Sequence, residues 1–282
     1  MSKIQIVTDS TCDLSEALIK DHAIEVVPLF VNFGESSYKD GIDLNTEAMY
    51  EKVSELNMIP KTSAASPGMF QTVFEKYLAE GYEIIYTGIG QKFSATLQNA
   101  TIAKNTIDSD KIHLVDSQNL SSGSGLLVLK AAKMRDEGMR AKHIVSELEK
   151  LRTRVQTRFI INTLEYLHKG GRLKAISAFV GSMLKMHPII RVVDGEMTIG
   201  KKPRGKMRNG IKIMLNDVFK DAGNIDTDLV MITHSQAHEH AAYIRDQLAS
   251  LSIDNVYETE AGCVISSHCG AGTIGVLYIK AS

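Results

Sequence analysis

The stretch Lys61–Phe70, KTSAASPGMF, marks the place where a polar loop runs into a helix. Pro67 fixes the backbone angle that a first helical turn requires, and Ser66 before it can accept a hydrogen bond from that turn. The apolar residues that follow recur at helical spacing, namely Met69, Phe70, Val73, Phe74 and Tyr77. Residues 61–63 are therefore predicted to lie in a loop before a helix N-terminus, where free N–H groups and hydroxyls favour a carboxylate or phosphate. An ordinary capped loop is the alternative interpretation.

Outward from this stretch, apolar runs typical of strands alternate with amphipathic helices. The predicted strands of the first half are Lys3–Val7, Ile24–Phe33, Tyr82–Ile89 and Lys111–Val115. This alternation predicts a mainly parallel sheet that is covered by helices on both faces. In the second half, Asp194-Gly195 predicts a hairpin turn, and strands and helices alternate again from Leu229 onward. We expect an N-terminal α/β domain of residues 1–156 and a C-terminal α/β domain of residues 157–282.

Loops rich in Ser, Thr and Gly follow the first-half strands and are candidates for a ligand site. They cover residues 8–11, 61–66, 88–96 and 116–124. Because ligands collect beyond the carboxyl ends of strands in open parallel sheets, these loops are expected to converge. Ser94 is the sharpest candidate, since it precedes a predicted helix; its alternative role is that of a helix N-cap.

The glycine-rich tail offers a second candidate, His268, within the segment SSHCGAGTIG. A histidine among glycines can donate a hydrogen bond to an anion that approaches the backbone closely. The alternative is a buried histidine that is bonded to a backbone carbonyl. Together, Ser94 and His268 also invite a serine-hydrolase interpretation, although no G-x-S-x-G segment is present.

Composition excludes several functional classes. The 282 residues carry a formal net charge of -1, which does not favour a nucleic-acid partner. Three cysteines without a C-x-x-C pair fit a reducing cytoplasm and give no thiolate zinc site. The first residues run straight into a predicted strand, so we expect no signal peptide, and no apolar run reaches transmembrane length. We expect a cytoplasmic protein, and its balanced charge is consistent with a monomer.

Motifs for cofactors are also missing from the sequence. There is no Walker A motif and no complete G-x-G-x-x-G motif, so nucleotide chemistry is unsupported. His234 and His238 have the i, i+4 spacing that can hold a metal, but we expect a solvated helix start there, with His240 beside it, and no metal. The basic residues between 201 and 212 predict a solvated face or a docking patch for an acidic partner.

Six segments spread over essentially the whole chain carry a resemblance to a known family. In order they are VTDSTCDL, KTSAASPGMF, FSATLQNA, VDSQNLSSGSGLLVL, LEYLHKGGRLKAISAFVGSMLKMHPII and SSHCGAGTIG. With these segments the sequence resembles the DegV family. The resemblance implies two α/β domains with a long, narrow pocket at their junction, and one long-chain fatty acid in that pocket. In some members, the lipid-loaded protein offers the carboxylate to a separate kinase subunit, which uses ATP to form an acyl phosphate for phospholipid synthesis.

The resemblance also assigns residues. The family's carboxylate contacts fall on Thr62, Ser94 and His268, and two basic positions implicated in kinase docking fall on Arg172 and Arg204. Hydroxyls and a histidine near a helix N-terminus suit a carboxylate independently of the family.

Two departures from the family pattern concern the loops of this site. Ala95 replaces a glycine after Ser94, and Ala271 replaces a proline after His268. A separate apolar segment of the second half is expected either to line the acyl tail or to be plain core; its residues are Phe179, Val180, Met183 and Leu184. The resulting prediction is a fatty-acid carrier without cofactor or catalytic residues. The alternative is a serine esterase or lipid hydrolase that uses Ser94 and His268.

Overall fold

Strands and helices alternate through residues 3–172 and 187–281, which are the residues that the computed structural model describes. The strands are β1 (Lys3–Asp9), β2 (Glu25–Val27), β3 (Phe30–Phe33), β4 (Ser36–Lys39), β5 (Lys61–Ser63), β6 (Tyr82–Gly88), β7 (Ile112–Asp116), β8 (Val155–Ile160), β9 (Ile189–Val193), β10 (Glu196–Ile199), β11 (Ile225–Ser235), β12 (Val256–Glu260) and β13 (Thr273–Lys280). The helices are α1 (Glu16–Asp21), α2 (Thr46–Leu56), α3 (Pro67–Ala79), α4 (Thr96–Ile107), α5 (Ser122–Asp136), α6 (Ala141–Leu151), α7 (Glu165–Lys169), α8 (Met207–Lys220), α9 (His238–Leu248) and α10 (Cys263–Cys269). The predicted α/β class is confirmed.

The first half of the chain forms a four-stranded parallel sheet in the order β2-β1-β6-β7. Its central strands are buried apolar runs, as expected of a parallel sheet with helices on both faces. All four strands point the same way, so the loops that follow β1, β6 and β7 emerge at one edge. Among the residues that the structure describes, no helix is long and apolar enough to span a bilayer.

The second half forms a six-stranded sheet in the order β10-β9-β8-β13-β11-β12. Only β11 and β12 pair in parallel, and the other neighbours are antiparallel. The parallel arrangement predicted for the first half therefore does not extend to this sheet. One cause is the predicted β9–β10 hairpin, which is confirmed: Asp194 and Gly195 both adopt the positive φ angles that a two-residue turn requires.

Helix α5 lies between the two sheets and is buried on nearly every side. One continuous apolar cluster joins it to both of them, with Ile6 and Ile85 on one side and Met231 and Leu277 on the other. Each fully buried aliphatic side chain there contributes about 1.5–3 kcal/mol relative to exposure. The two halves are therefore held by a shared core, which fixes the geometry of the surfaces that face each other beside it.

A small antiparallel sheet, in the order β4-β3-β5, corrects two sequence-based expectations. The single strand predicted over residues 24–33 is split into β2 and β3 around Pro28, which has no N–H for a ladder. Residues 61–63 are not a free loop but form β5, where Thr62 pairs with Val31. The helix start beside them is confirmed, because α3 begins at Pro67 and the Ser66 hydroxyl accepts from the Met69 N–H.

Candidate ligand site between the two sheets

A cavity opens between the halves, with an empty volume of about 930 Å³ that includes space open to solvent. Apolar side chains from both halves line it, among them Leu29, Ile89, Phe93, Phe159, Met197 and Leu277. The walls can therefore bury a hydrocarbon, and they belong to neither half alone.

Two predicted ligand residues meet at this cavity, although they are 206 positions apart in the chain. Thr62 on β5 and His268 on α10 both line it, and the Thr62 Oγ1 lies 2.8 Å from the His268 Nε2. Ser94 and Arg172 line the same cavity. Hydroxyls, an imidazole and a guanidinium thus converge on one apolar space, which is an arrangement that suits a carboxylate head.

The surroundings of His268 favour its neutral form. Burial, and then the nearby charge of Arg172, lowers the pKa of its imidazole from 6.5 to about 4. Its Nδ1 is shielded from solvent and has no hydrogen-bond partner within residues 3–172 and 187–281. The alternative of a histidine bonded to a backbone carbonyl is therefore not what the described residues show.

Gly170 forms the wall behind the imidazole. A Cβ atom at this position would lie 2.2 Å from the Nδ1 of His268, closer than any real contact. Next to it, Arg172 is exposed and its Nη1 donates to the Gly170 carbonyl at 2.9 Å. The turn after α7 therefore sets both the position of the ring and the position of the Arg172 charge beside it.

Ser94 is not the N-cap of α4, because that position is Ala95. Its Oγ lies 2.7 Å from the Thr96 Oγ1 and accepts from the Thr96 N–H at 3.3 Å, so it satisfies one N–H group of the first helical turn. It also lines the cavity. Because Ser94 bonds to Thr96 while His268 bonds to Thr62, the nucleophile–base hydrogen bond of a serine hydrolase is not formed in this arrangement.

Asp9, at the end of β1, holds the loop that leads to Ser94, and sequence reasoning missed this role. Its Oδ2 accepts from the Ile89 N–H at 2.9 Å and from the Tyr86 hydroxyl at 2.8 Å. A Cβ at Gly88 would lie 2.0 Å from the same oxygen, so only glycine fits there. In the sequence, the polar residues 8–11 indicated a functional loop at the end of β1, but they did not indicate which loop Asp9 would contact.

Several hydroxyls elsewhere in the cavity wall are bonded to residues outside it. The Thr157 Oγ1 donates to the Asn119 Oδ1 at 2.7 Å, and the Thr233 Oγ1 donates to the Ser122 Oγ at 2.6 Å. Ser121 donates to Asp13. Because these groups already have partners, this part of the wall requires none from a ligand and remains compatible with an acyl chain.

The remaining predicted residues lie away from this cluster or outside the described part of the chain. Arg204 is exposed and does not line the cavity. In the basic segment near it, Lys201 pairs with Asp217 at 2.7 Å, and the Arg208 guanidinium lies 4.0 Å from the Tyr243 ring centre. The predicted acyl-lining residues lie outside the described residues, namely Phe179, Val180, Met183 and Leu184.

Of the two histidines, His234 is less exposed than expected, whereas His238 is exposed. His234 is buried at the end of β11 rather than in a solvated helix start, and ligand atoms of His234, His238 and Glu258 lie within 4.8 Å of one another. The His234 Nδ1 accepts from the Ala237 N–H, and its Nε2 lies 3.3 Å from the Glu258 Oε1. An ion bound by His234 would have to displace one of these hydrogen bonds.

The whole chain matches a known protein family. The model of the DegV family, described as uncharacterised protein, matches residues 3–281. A DegV domain-containing protein from Clostridium acetobutylicum is 37% identical over 280 residues, which is 99% of each chain.

Solved structures share the fold. A DegV family protein from Thermus thermophilus, described by its fatty acid binding, superposes with a TM-score of 0.93 at 30% identity over 99% of each chain. DegV from Bacillus subtilis, described as a fatty acid binding protein, superposes with a TM-score of 0.88 at 28% identity, over 99% of this chain and all of the other.

Proposed function

The chain belongs to the DegV family, and from this premise we propose that it binds one long-chain fatty acid in the cavity between its sheets. The observation that carries the proposal is an apolar cavity that meets Thr62, Ser94, His268 and Arg172. The fatty acid binding described for the Thermus thermophilus and Bacillus subtilis proteins supports the same ligand class.

The acyl tail and the carboxylate head contribute different amounts to the binding free energy. Burying about 14 methylenes at about 0.8 kcal/mol each contributes about 11 kcal/mol before the costs of binding are subtracted. Each hydrogen bond to the charged head adds about 1.5–3 kcal/mol. The acyl tail therefore supplies most of the affinity, while Thr62, Ser94 and His268 fix the orientation of the carboxylate.

The proposal extends to the fate of the bound acid. We infer that the protein is a carrier and not a catalyst, and that it presents the carboxylate to a separate ATP-dependent fatty acid kinase for acyl phosphate formation and phospholipid synthesis. The exposure of Arg172 and Arg204 is consistent with a role in docking that partner. The carrier itself needs no cofactor, and we place it in the cytoplasm as a monomer.

Lipid analysis tests the core of this proposal. The purified protein is extracted with organic solvent, the extract is examined by mass spectrometry, and the delipidated protein is titrated with palmitic acid. We expect about one acid per chain and saturable rebinding. Ala64→Phe should block rebinding because Ala64 lines the cavity, while Ala249→Phe, on the exposed end of α9, should not. Failure to recover or rebind any long-chain acid would refute the proposal.

A further inference from the structure

Helix α10 belongs to the second half of the chain, but the first half fixes where it begins. The Gly262 N–H donates to the Asp13 Oδ1 at 2.9 Å, and the Cys263 N–H donates to the Asp40 Oδ1 at 2.7 Å. The Thr46 Oγ1 adds a third contact when it donates to the Ala261 carbonyl at 2.8 Å. The first N–H groups of a helix have no partner within the helix, so two carboxylates satisfy donors that would otherwise be buried and unpaired.

These contacts leave little freedom at the start of the helix. Asp13 and Asp40 are 5% and 3% exposed, so water cannot easily replace either one. A Cβ at Gly262 would lie 3.2 Å from the Asp40 Oδ1 and 3.4 Å from the Asp13 Oδ1, which shows how closely both carboxylates approach the chain. His268 follows within the same short helix, so its ring moves with these first residues.

We propose that Asp13 and Asp40 are positioning residues for the ligand site: they hold α10 so that His268 meets Thr62 at the cavity. The Thr62–His268 hydrogen bond is 2.8 Å long and would be lost if α10 moved by about 1 Å, because such bonds require about 2.7–3.2 Å. The inference deepens the proposed function and rests on it for the identity of the ligand.

Asp40→Asn distinguishes a positioning role of the Asp40 side chain from a role of its negative charge. Burial raises the pKa of both aspartates, because the charged form of a carboxyl group is penalised away from water. An asparagine at position 40 retains an oxygen that can accept from the Cys263 N–H, whereas an alanine does not. Asp40→Asn should therefore preserve the ligand site, and Asp40→Ala should disturb it.

The experiment uses full-length protein that is delipidated and reloaded with palmitate carrying carbon-13 at the carboxyl carbon. The carboxyl resonance reports the environment of the head, and the nitrogen-15 shifts of the His268 ring report its tautomer and partners. The control variant is Ile244→Ala, in the core beneath α9 and away from the cavity, which removes stability without touching α10.

We expect Asp40→Ala to shift both signals and to weaken palmitate binding by at least about tenfold, while Asp40→Asn and Ile244→Ala leave both signals near those of the original protein. If Asp40→Ala does not fold, Thr46→Val takes its place and should shift the same signals to a smaller extent. The proposal is overturned if the alanine variant leaves the His268 signals unchanged, or if Ile244→Ala shifts them equally. The His268 ring signals are also measured without lipid, and these test the positioning role by themselves. If the protein binds no palmitate at all, the proposed function is refuted, but the lipid-free signals still decide whether Asp40 positions His268.

Discussion

Gly170→Ala, which adds a single methyl group, should weaken lipid binding while changing the stability of the fold only slightly. The backbone there has φ -74° and ψ -5°, which alanine adopts without strain. The added carbon, however, would lie 2.2 Å from the His268 Nδ1 and 2.8 Å from its Cε1. Ordinary contacts begin near 3.5 Å, so the ring must retreat by about 1 Å.

The expected loss of affinity follows from the hydrogen bonds that the His268 ring would lose. On its other side the imidazole is bonded to Thr62 at 2.8 Å, so a shift of this size breaks or misaligns that bond. Losing one hydrogen bond to a charged head costs about 1.5–3 kcal/mol, or about 10- to 150-fold in affinity. The burial of the tail is untouched, so measurable binding should remain.

The assay is a calorimetric titration of delipidated Gly170→Ala with palmitic acid, alongside a thermal unfolding scan. Gly223→Ala is the matched control, since a Cβ there meets nothing within 4 Å. We expect weaker binding for Gly170→Ala, a small change in Tm, and no change in affinity for the control. Affinity equal to that of the original protein would show that the position of the His268 ring does not matter for the head group.

Three further predictions concern the same site. Ser94→Ala should reduce phosphorylation of the bound acid by a cognate kinase more than it reduces the amount of lipid that co-purifies; complete loss of lipid from a folded protein would contradict the division between tail and head. The pKa of His268 is lowered from 6.5 to about 4, so between these pH values the unfolded chain takes up a proton that the folded protein does not. We therefore expect this residue to lower the free energy of unfolding by up to about 3 kcal/mol as the pH falls from 6.5 to 4. A bound carboxylate should reduce that loss, and urea titrations of empty protein, lipid-loaded protein and His268→Asn across this range would show whether it does. Gly88→Ala should destabilise the fold by about 1–3 kcal/mol, because its methyl group would overlap the Asp9 carboxylate; an unchanged urea midpoint would contradict the proposed role of Asp9.

Local patterns were sufficient to predict the elements that depend on nearby residues. The start of α3 at Pro67 and the turn at Asp194-Gly195 are encoded by residue types that act within a few positions. The approximate bounds of β1 and β7 follow from their apolar runs. The family resemblance supplied the ligand class, which periodicity could not.

Contacts between residues that are distant in sequence account for the features that the sequence did not predict. Residues 61–63 carry no strand pattern, and they form β5 only because β3 offers a free edge. Helix α10 was missed because its residues lie in a glycine-rich tail, and its start depends on carboxylates more than 200 positions away. The burial of His234 depends in the same way on strands that pair with β11. The domain boundary at residues 156 and 157 and the roles of the site residues stay predictions.

A crystal structure of the protein loaded with palmitic acid would show where the fatty acid lies. We expect an acyl chain in the cavity between the sheets, with a carboxylate oxygen about 3 Å from the hydroxyl of Thr62 or Ser94 or from the His268 ring. A chain that lies elsewhere, or a carboxylate that faces away from these three residues, would contradict this expectation.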